Sequence, residues 1–243
     1  MKIPYARTLP AALALLLLLA AAAPANGAGP LAGKVICLDP GHGGADSGAY
    51  FAALDLSESD INLDVAYRLA ALLKSAGASV VMTRTGDQGL TEAERAAFCN
   101  RMQATILVSV HTNSFTDPEA NGILTFYGKR SASEDIRLAQ ALHAAMAPAL
   151  RRGSPAPAEF VDYGVRRFGA GVLRRSTMPA ALLEPAFLSN PAEARLLAIP
   201  IAAAPGSGVA HPGCPNFACR RGQIAQSAYE GILAFFANLS RDA

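Results

Sequence analysis

His42, Glu58, His111 and Glu184 are the residues from which a reaction centre can be assembled in this chain. Two imidazoles and a carboxylate form a ligand set for catalytic zinc, which takes three protein ligands and keeps a fourth position open. A metal held in that way polarises a carbonyl and acidifies water. His42 stands in Asp39-Pro40-Gly41-His42-Gly43-Gly44, immediately after the apolar run Val35 to Leu38, and His111 directly follows Ile106 to Val110. Glu58 opens a helical pattern, where a carboxylate is favourable anyway because a helix N-terminus is electropositive. Glu184 ends the apolar run Ala180 to Leu183. Desolvation there raises a carboxyl pKa toward neutrality, as a general acid or base requires; the competing reading is a glutamate leaving a strand for solvent. Asp39 and Asn113, one beside each histidine, read equally as groups that orient the ligands or as turn caps.

Four apolar runs have the length and flanks of buried strands: Val35 to Leu38, Ala78 to Thr83, Ile106 to Val110 and Ala180 to Leu183. Ile123 to Tyr127 reads as a further strand and Gly171 to Leu173 as a weak one. Between the first two, Leu63, Ala66, Leu69, Ala70 and Leu73 repeat at helical spacing, and Gly77 marks the helix end. A strand, helix and strand in that order imply a right-handed crossover and a parallel sheet. Strand ends on one edge of such a sheet converge, and ligands gather beyond their carboxyl ends, so His42 and His111 are expected to be neighbours. Further helices are expected over Leu90 to Ala104, Glu134 to Leu150, Pro191 to Leu197 and Ile224 to Leu239, and residues 199 to 223 read as an inserted surface loop.

Lys2 and Arg7, the unbroken Ala/Leu run from Ala11 to Ala23, and the small residues Ala25-Asn26-Gly27 form the pattern of a secretory signal peptide over residues 1–27. Residues 28–243 then suit a single α/β domain. The chain has 21 Lys and Arg against 19 Asp and Glu, so losing Lys2 and Arg7 leaves it neutral. Neutrality argues against nucleic acid as a partner, and the mature chain has no apolar stretch long enough to span a membrane. Cys37 and Cys99 read as buried thiols, and Cys214 and Cys219 as a small loop bridge. His143 reads as structural, Arg84 and Arg95 as internal ion-pair partners, and His211 with the loop cysteines falls short of a four-ligand metal set.

Taken together, Leu38 to Gly44, Glu58 to Leu63, Met82-Thr83-Arg84, Arg95 with Asn100, Ser109 to Asn113, and Glu184 with Phe187 to Pro191 resemble the zinc-dependent N-acetylmuramoyl-L-alanine amidases of the type 3 family. The pieces come in the family's order and span Lys34 to the C-terminus. The resemblance implies that His42, Glu58 and His111 bind one zinc ion and that Glu184 is the catalytic carboxylate. It implies a phosphorylase/hydrolase-like α/β sandwich built on a mostly parallel six-stranded sheet flanked by helices. It also implies hydrolysis of the amide between N-acetylmuramic acid and L-alanine in peptidoglycan, by an exported enzyme of the periplasm or extracellular space. Placement at the wall is then left to a protein activator, a targeting partner or diffusion.

Two departures stand out. Pro185 follows Glu184 where the family has a small or apolar residue before Gly-Phe, and Tyr163 stands where an arginine is common. A zinc peptidase cutting within the stem peptide, and a non-catalytic wall-binding or activator protein on the same scaffold, are the rival readings.

Overall fold

The computed structural model describes residues 29–128, 133–198 and 219–242. The expected signal peptide, Cys214, His211 and nearly all of the expected 199–223 loop lie outside them.

The first strand, β1 (Val35–Pro40), is followed by a short hairpin, β2 (Tyr50–Phe51) and β3 (Leu56–Ser57), and then by α1 (Glu58–Ser75). The chain continues through β4 (Ser79–Met82), α2 (Glu92–Arg101), β5 (Ile106–Val110) and β6 (Gly122–Tyr127). After α3 (Ser133–Arg152) come β7 (Val161–Arg167), α4 (Gly171–Arg175), β8 (Ala180–Glu184), α5 (Pro191–Leu197) and α6 (Arg220–Asp242). Six strands form one sheet in the order β4-β1-β5-β8-β6-β7, parallel except where β6 meets β8.

Local chemistry sets the boundaries. Ser57 caps α1 by accepting from the Asp60 amide (3.2 Å), and Glu58 and Asp60 lie in its electropositive first turn. Ile61, Val65, Leu69 and Leu73 form its buried stripe. Thr91 and Glu94 form a reciprocal capping box on α2, and Asn190 caps α5 ahead of Pro191.

The two faces of the sheet are unequally covered. The larger core joins β1, β5, β6 and β8 to α1, α3 and α6 through Leu38, Leu69, Val108, Leu142 and Ile232 among others. The smaller core lies on the other face, where Cys37, Leu107 and Leu182 meet Ala96 and Cys99 of α2 and Val172 and Leu173 of α4.

Three expectations are corrected here. Gly171 to Leu173 is the start of helix α4 and not a strand, with all three residues buried. The sixth strand is instead β7, an edge strand whose Val161, Asp162, Arg166 and Arg167 are exposed, so no apolar run marks it. Cys37 and Cys99 are not thiols: β1 and α2 bring their Cα atoms to 5.8 Å and the sulfurs are bonded. Cys219 is also disulfide-bonded, and α6 begins at Arg220, four residues before the expected Ile224.

Candidate metal centre

Gly41 continues β1 by donating its amide to the Val110 carbonyl (2.9 Å), and His42 then turns the chain with φ of 62°. A left-handed conformation is unfavourable for a side chain with a Cβ, and two buried arginines hold it in place. Arg95 donates to the carbonyls of Pro40 (2.6 Å) and His42 (2.7 Å), and Arg84 to those of Pro40 (3.0 Å), Gly41 (2.9 Å) and Ser59 (2.7 Å). Asp39 anchors the same corner from beneath, accepting from Arg95 (3.0 Å), Thr83 (2.7 Å) and Ser109 (2.7 Å). Gly48 is confined to glycine, since a Cβ there would lie 2.6 Å from Glu58 Oε2 and 2.7 Å from His42 Cδ2.

The sheet order makes β1 and β5 neighbours, so His42 and His111 leave adjacent strand ends with ring centroids 4.9 Å apart. Glu58, on the first residue of α1, points between them. Its Oε1 lies 3.1 Å from His42 Nε2 and 3.1 Å from His111 Nδ1. Bonds of about 2.0–2.1 Å in a tetrahedral shell put neighbouring ligand atoms roughly 3.3 Å apart, so this spacing and donor set fit a zinc ion. All three ligand atoms lie within 4.8 Å of one another.

The candidate ligands are oriented from behind. Asp46 Oδ2 lies 2.8 Å from His42 Nδ1, which turns Nε2 toward Glu58. The amides of Ala49 (3.0 Å) and Thr112 (3.1 Å) donate to the two Glu58 oxygens, and Asn62 accepts from the Thr112 hydroxyl (2.9 Å). Burial pushes the Glu58 carboxyl up, but the imidazoles of His111 and His42 outweigh it and hold the group well below the usual carboxylate range. The same hydrogen bond to Glu58, helped by Asp46, raises His42 to about 9 against its own desolvation.

Glu184 ends β8, one strand beyond His111, and shares with the three ligands a cleft of about 700 Å3. Its Oε2 is buried and has no hydrogen-bond partner among the described residues. Desolvation raises the carboxyl to about 7, with the Glu58 charge adding to it and the two histidines opposing it. A carboxyl poised near neutrality thus shares its cleft with three residues that could hold a cation.

The family model for N-acetylmuramoyl-L-alanine amidase matches residues 36–203, which include all four of these residues. The chain belongs to the N-acetylmuramoyl-L-alanine amidase family. The amidase is 31% identical over 224 residues to the germination-specific N-acetylmuramoyl-L-alanine amidase of Bacillus subtilis, covering 85% of this chain and 81% of that one. It is 33% identical to the amidase LytC of the same organism over 69% of this chain but only 32% of the longer relative. Among solved structures, the catalytic domain of CwlV from Bacillus (Paenibacillus) polymyxa superposes with a TM-score of 0.67 at 29% identity, covering 84% of this chain and 98% of that one. The N-acetylmuramoyl-L-alanine amidase of Clostridium difficile 630 gives 0.69 at 28%, covering 84% and 97%.

The structure also decides between the open readings around the site. Asp39 and Asn113 do not touch the imidazoles: Asp39 braces the Arg95 corner, and Asn113 caps its own turn by accepting from the Ser114 amide (2.8 Å). Arg95 is the ion-pair partner expected, whereas Arg84 spends its donors on backbone carbonyls. His143 is structural, lying between Thr125 (3.0 Å) and Asp162 (2.7 Å). Pro185 breaks no ladder, because Leu124↔Glu184 is the last pair between β6 and β8. Its ring instead keeps Glu184 extended.

Asp46 is the site residue that sequence reasoning missed. It lies four residues after His42, but in a loop that spacing has no fixed geometry, and its role appears only once Gly43 and Asp46 pair across the turn (2.7 Å).

Proposed function

We propose that the amidase is a zinc hydrolase that cuts peptidoglycan at the amide between the lactyl group of N-acetylmuramic acid and L-alanine. The observation that carries this reading is the convergence of His42 Nε2, Glu58 Oε1 and His111 Nδ1 beside the unpartnered Glu184 oxygen. Zinc in that position would supply Lewis-acid chemistry, polarising the amide carbonyl and acidifying water. The chain's own residues do the rest. Asp46 and the Ala49 and Thr112 amides hold the ligands in register, so that little reorganisation is needed on binding. Glu184 takes the proton of the attacking water and delivers it to the departing nitrogen, which leaves as the amino terminus of the stem peptide.

Residues 28–243 act in this reading as a single catalytic domain. The enzyme is exported to the periplasm or extracellular space, supported by the leader pattern of residues 1–27 and the Cys37–Cys99 disulfide. No helix among the described residues is long and apolar enough to cross a membrane. A protein activator or targeting partner belongs to the same reading: the related CwlD amidase of Clostridioides difficile, 26% identical with a TM-score of 0.67, was solved in complex with the GerS lipoprotein.

Metal analysis tests the site. The purified protein is expected to carry one zinc per chain, and His111→Ala to carry none while remaining folded. Full zinc retention in His111→Ala would refute the ligand assignment.

A further inference from the structure

The chain carries 21 basic residues against 19 acidic ones, but their charges are sorted along the strands. The N-terminal ends of β1, β4, β5 and β8 and the C-terminal ends of β6 and β7 meet at the end of the sheet away from the candidate metal ligands. Helices α1, α2, α4 and α6 finish there, carrying Lys74, Arg101, Arg174, Arg175 and Arg241 in their last turns, all of them exposed. Helix α3 starts there, and its Arg137 lines with Arg241, Gln140 and Asn238 a recess of about 470 Å3. The acids described at this end are Glu134, Asp242 and Asp135, the last buried and accepting from the Ala180 amide (3.0 Å). The opposite end, around the cleft, carries exposed Asp46, Asp55, Asp87, Asp117 and Glu119 in the segments that follow β1, β4 and β5. Helix dipoles favour cations in last turns, but loops carry these acids, so the separation of charge runs the length of the molecule rather than belonging to each helix.

We propose that the basic end is a peripheral docking surface for a bilayer of anionic phospholipid, and that it holds the protein with its cleft turned away from the lipid. Charge complementarity selects the occupant. Each exposed Lys or Arg beside an anionic surface is attracted to it over about one Debye length, roughly 8 Å at physiological salt. The six residues of β1 span roughly 20 Å, so the acids around the cleft lie beyond that reach when the basic end faces lipid, and they repel the same surface when the cleft faces it. Only one orientation is attractive. The recess between Arg137 and Arg241 offers guanidinium donors to a phosphodiester headgroup, and Met102, 45% exposed beside Arg101, is an apolar side chain placed to enter the interface. The covalent path to the leader agrees with this assignment. Leu31 donates to the Ala76 carbonyl beyond α1 (3.0 Å), so the fold begins at the basic end, and the apolar run Ala11 to Ala23 joins it there through at most about 28 Å of extended chain. During export this end is the one nearest the bilayer. One consequence rests on the proposed function: a cleft held away from the lipid opens toward the peptidoglycan outside it.

The test is cosedimentation of the exported, processed protein with vesicles of phosphatidylcholine alone or mixed with phosphatidylglycerol. The protein is expected to bind the mixed vesicles, to leave the neutral ones unbound, and to be released by salt. Lys74→Gln, Arg101→Gln and Arg174→Gln are each expected to weaken binding about fivefold, and the three together about 100-fold, with the fold unchanged by circular dichroism. The chain has no tryptophan, so Met102→Trp at the basic end and Phe115→Trp at the cleft end, both at exposed positions, report separately from the two ends. On mixed vesicles the emission of the Met102→Trp variant is expected to shift to shorter wavelength and that of the Phe115→Trp variant to stay where it is. Equal binding to both kinds of vesicle, binding that the triple substitution leaves intact, a shift in the Phe115→Trp variant, or equally tight binding to a soluble glycerol phosphate polymer would overturn the assignment. Failure of the proposed hydrolysis would show separately, as sacculi that yield no stem peptide.

Discussion

In the proposed mechanism Glu184 has to be deprotonated to accept a proton and protonated to give one, and burial at the end of β8 raises its carboxyl to about 7. Replacing it with Gln keeps the shape and removes the proton carrier, so Glu184→Gln is expected to lower kcat by about 10²–10⁴-fold with KM little changed. Steady-state kinetics on a soluble muramoyl peptide check this. Asp46 acts through His42, and Asp46→Ala is expected to weaken zinc about 10–100-fold in competition with a chelating dye while the protein stays folded. Because the Glu58 hydrogen bond holds His42 at about 9, the metal-free imidazole is protonated at pH 7 and must lose its proton to a metal. Zinc binding at pH 7 is therefore expected to release about one proton from His42, read by calorimetry in buffers of different ionisation enthalpy. At this scale the sequence was informative for His42, Glu58, His111 and Glu184, because each sits where an apolar run or helical repeat begins or ends. It was silent on Asp46 and on the carbonyl-binding work of Arg84, since contacts made by loops have no period to read.

The elements were legible in proportion to how much apolar surface each one hides. β1, β5 and β8 are buried and read as continuous apolar runs, and α1 shows its stripe. β7 pairs on one side only and carries polar, solvent-facing residues, so nothing in its composition sets it apart from a loop. The three-residue apolar stretch that opens α4 is too short for a period of 2 to be distinguished from one of 3.6. The Cys37–Cys99 link was hidden for another reason: two residues 62 apart in sequence meet only because α2 packs back over β1. That bridge ties the helix bearing Arg95 to the strand leading into His42. Closing a loop of that length restricts the unfolded chain by about 4 kcal/mol, so reduction, or the Cys37→Ala/Cys99→Ala pair, is expected to lower stability by roughly that amount. Urea unfolding with and without reductant measures it.

For the whole molecule, the charges that prepare the site for a cation also make the metal-free protein pH-sensitive. Glu184 is raised from 4.5 to about 7, so the folded state holds its proton more tightly than the unfolded chain; its stabilisation is complete below pH 4.5 and is lost as pH rises through 7. The size of the effect is about 3 kcal/mol. His42, raised from 6.5 to about 9, contributes in the same sense at higher pH: its share is complete below 6.5 and lost as pH rises through 9. Glu58 works oppositely, stabilising above 4.5 and failing as acid protonates it. The metal-free protein is thus expected to be most stable near pH 4.5 and to weaken steadily as pH rises from there toward 9, with Glu184→Gln flattening the decline between 4.5 and 7. Denaturant melts of the chelated protein across pH decide this, and a flat profile would contradict the burial argument for Glu184.

Mass spectrometry of purified sacculi, digested by the zinc-loaded and by the chelated protein, tests the central claim most directly. The account predicts stem peptides with a free L-alanine amino terminus and glycan strands with a free lactyl carboxylate, formed by the loaded protein alone. Fragments that keep L-alanine on muramic acid, or digestion that chelation leaves unchanged, would contradict it.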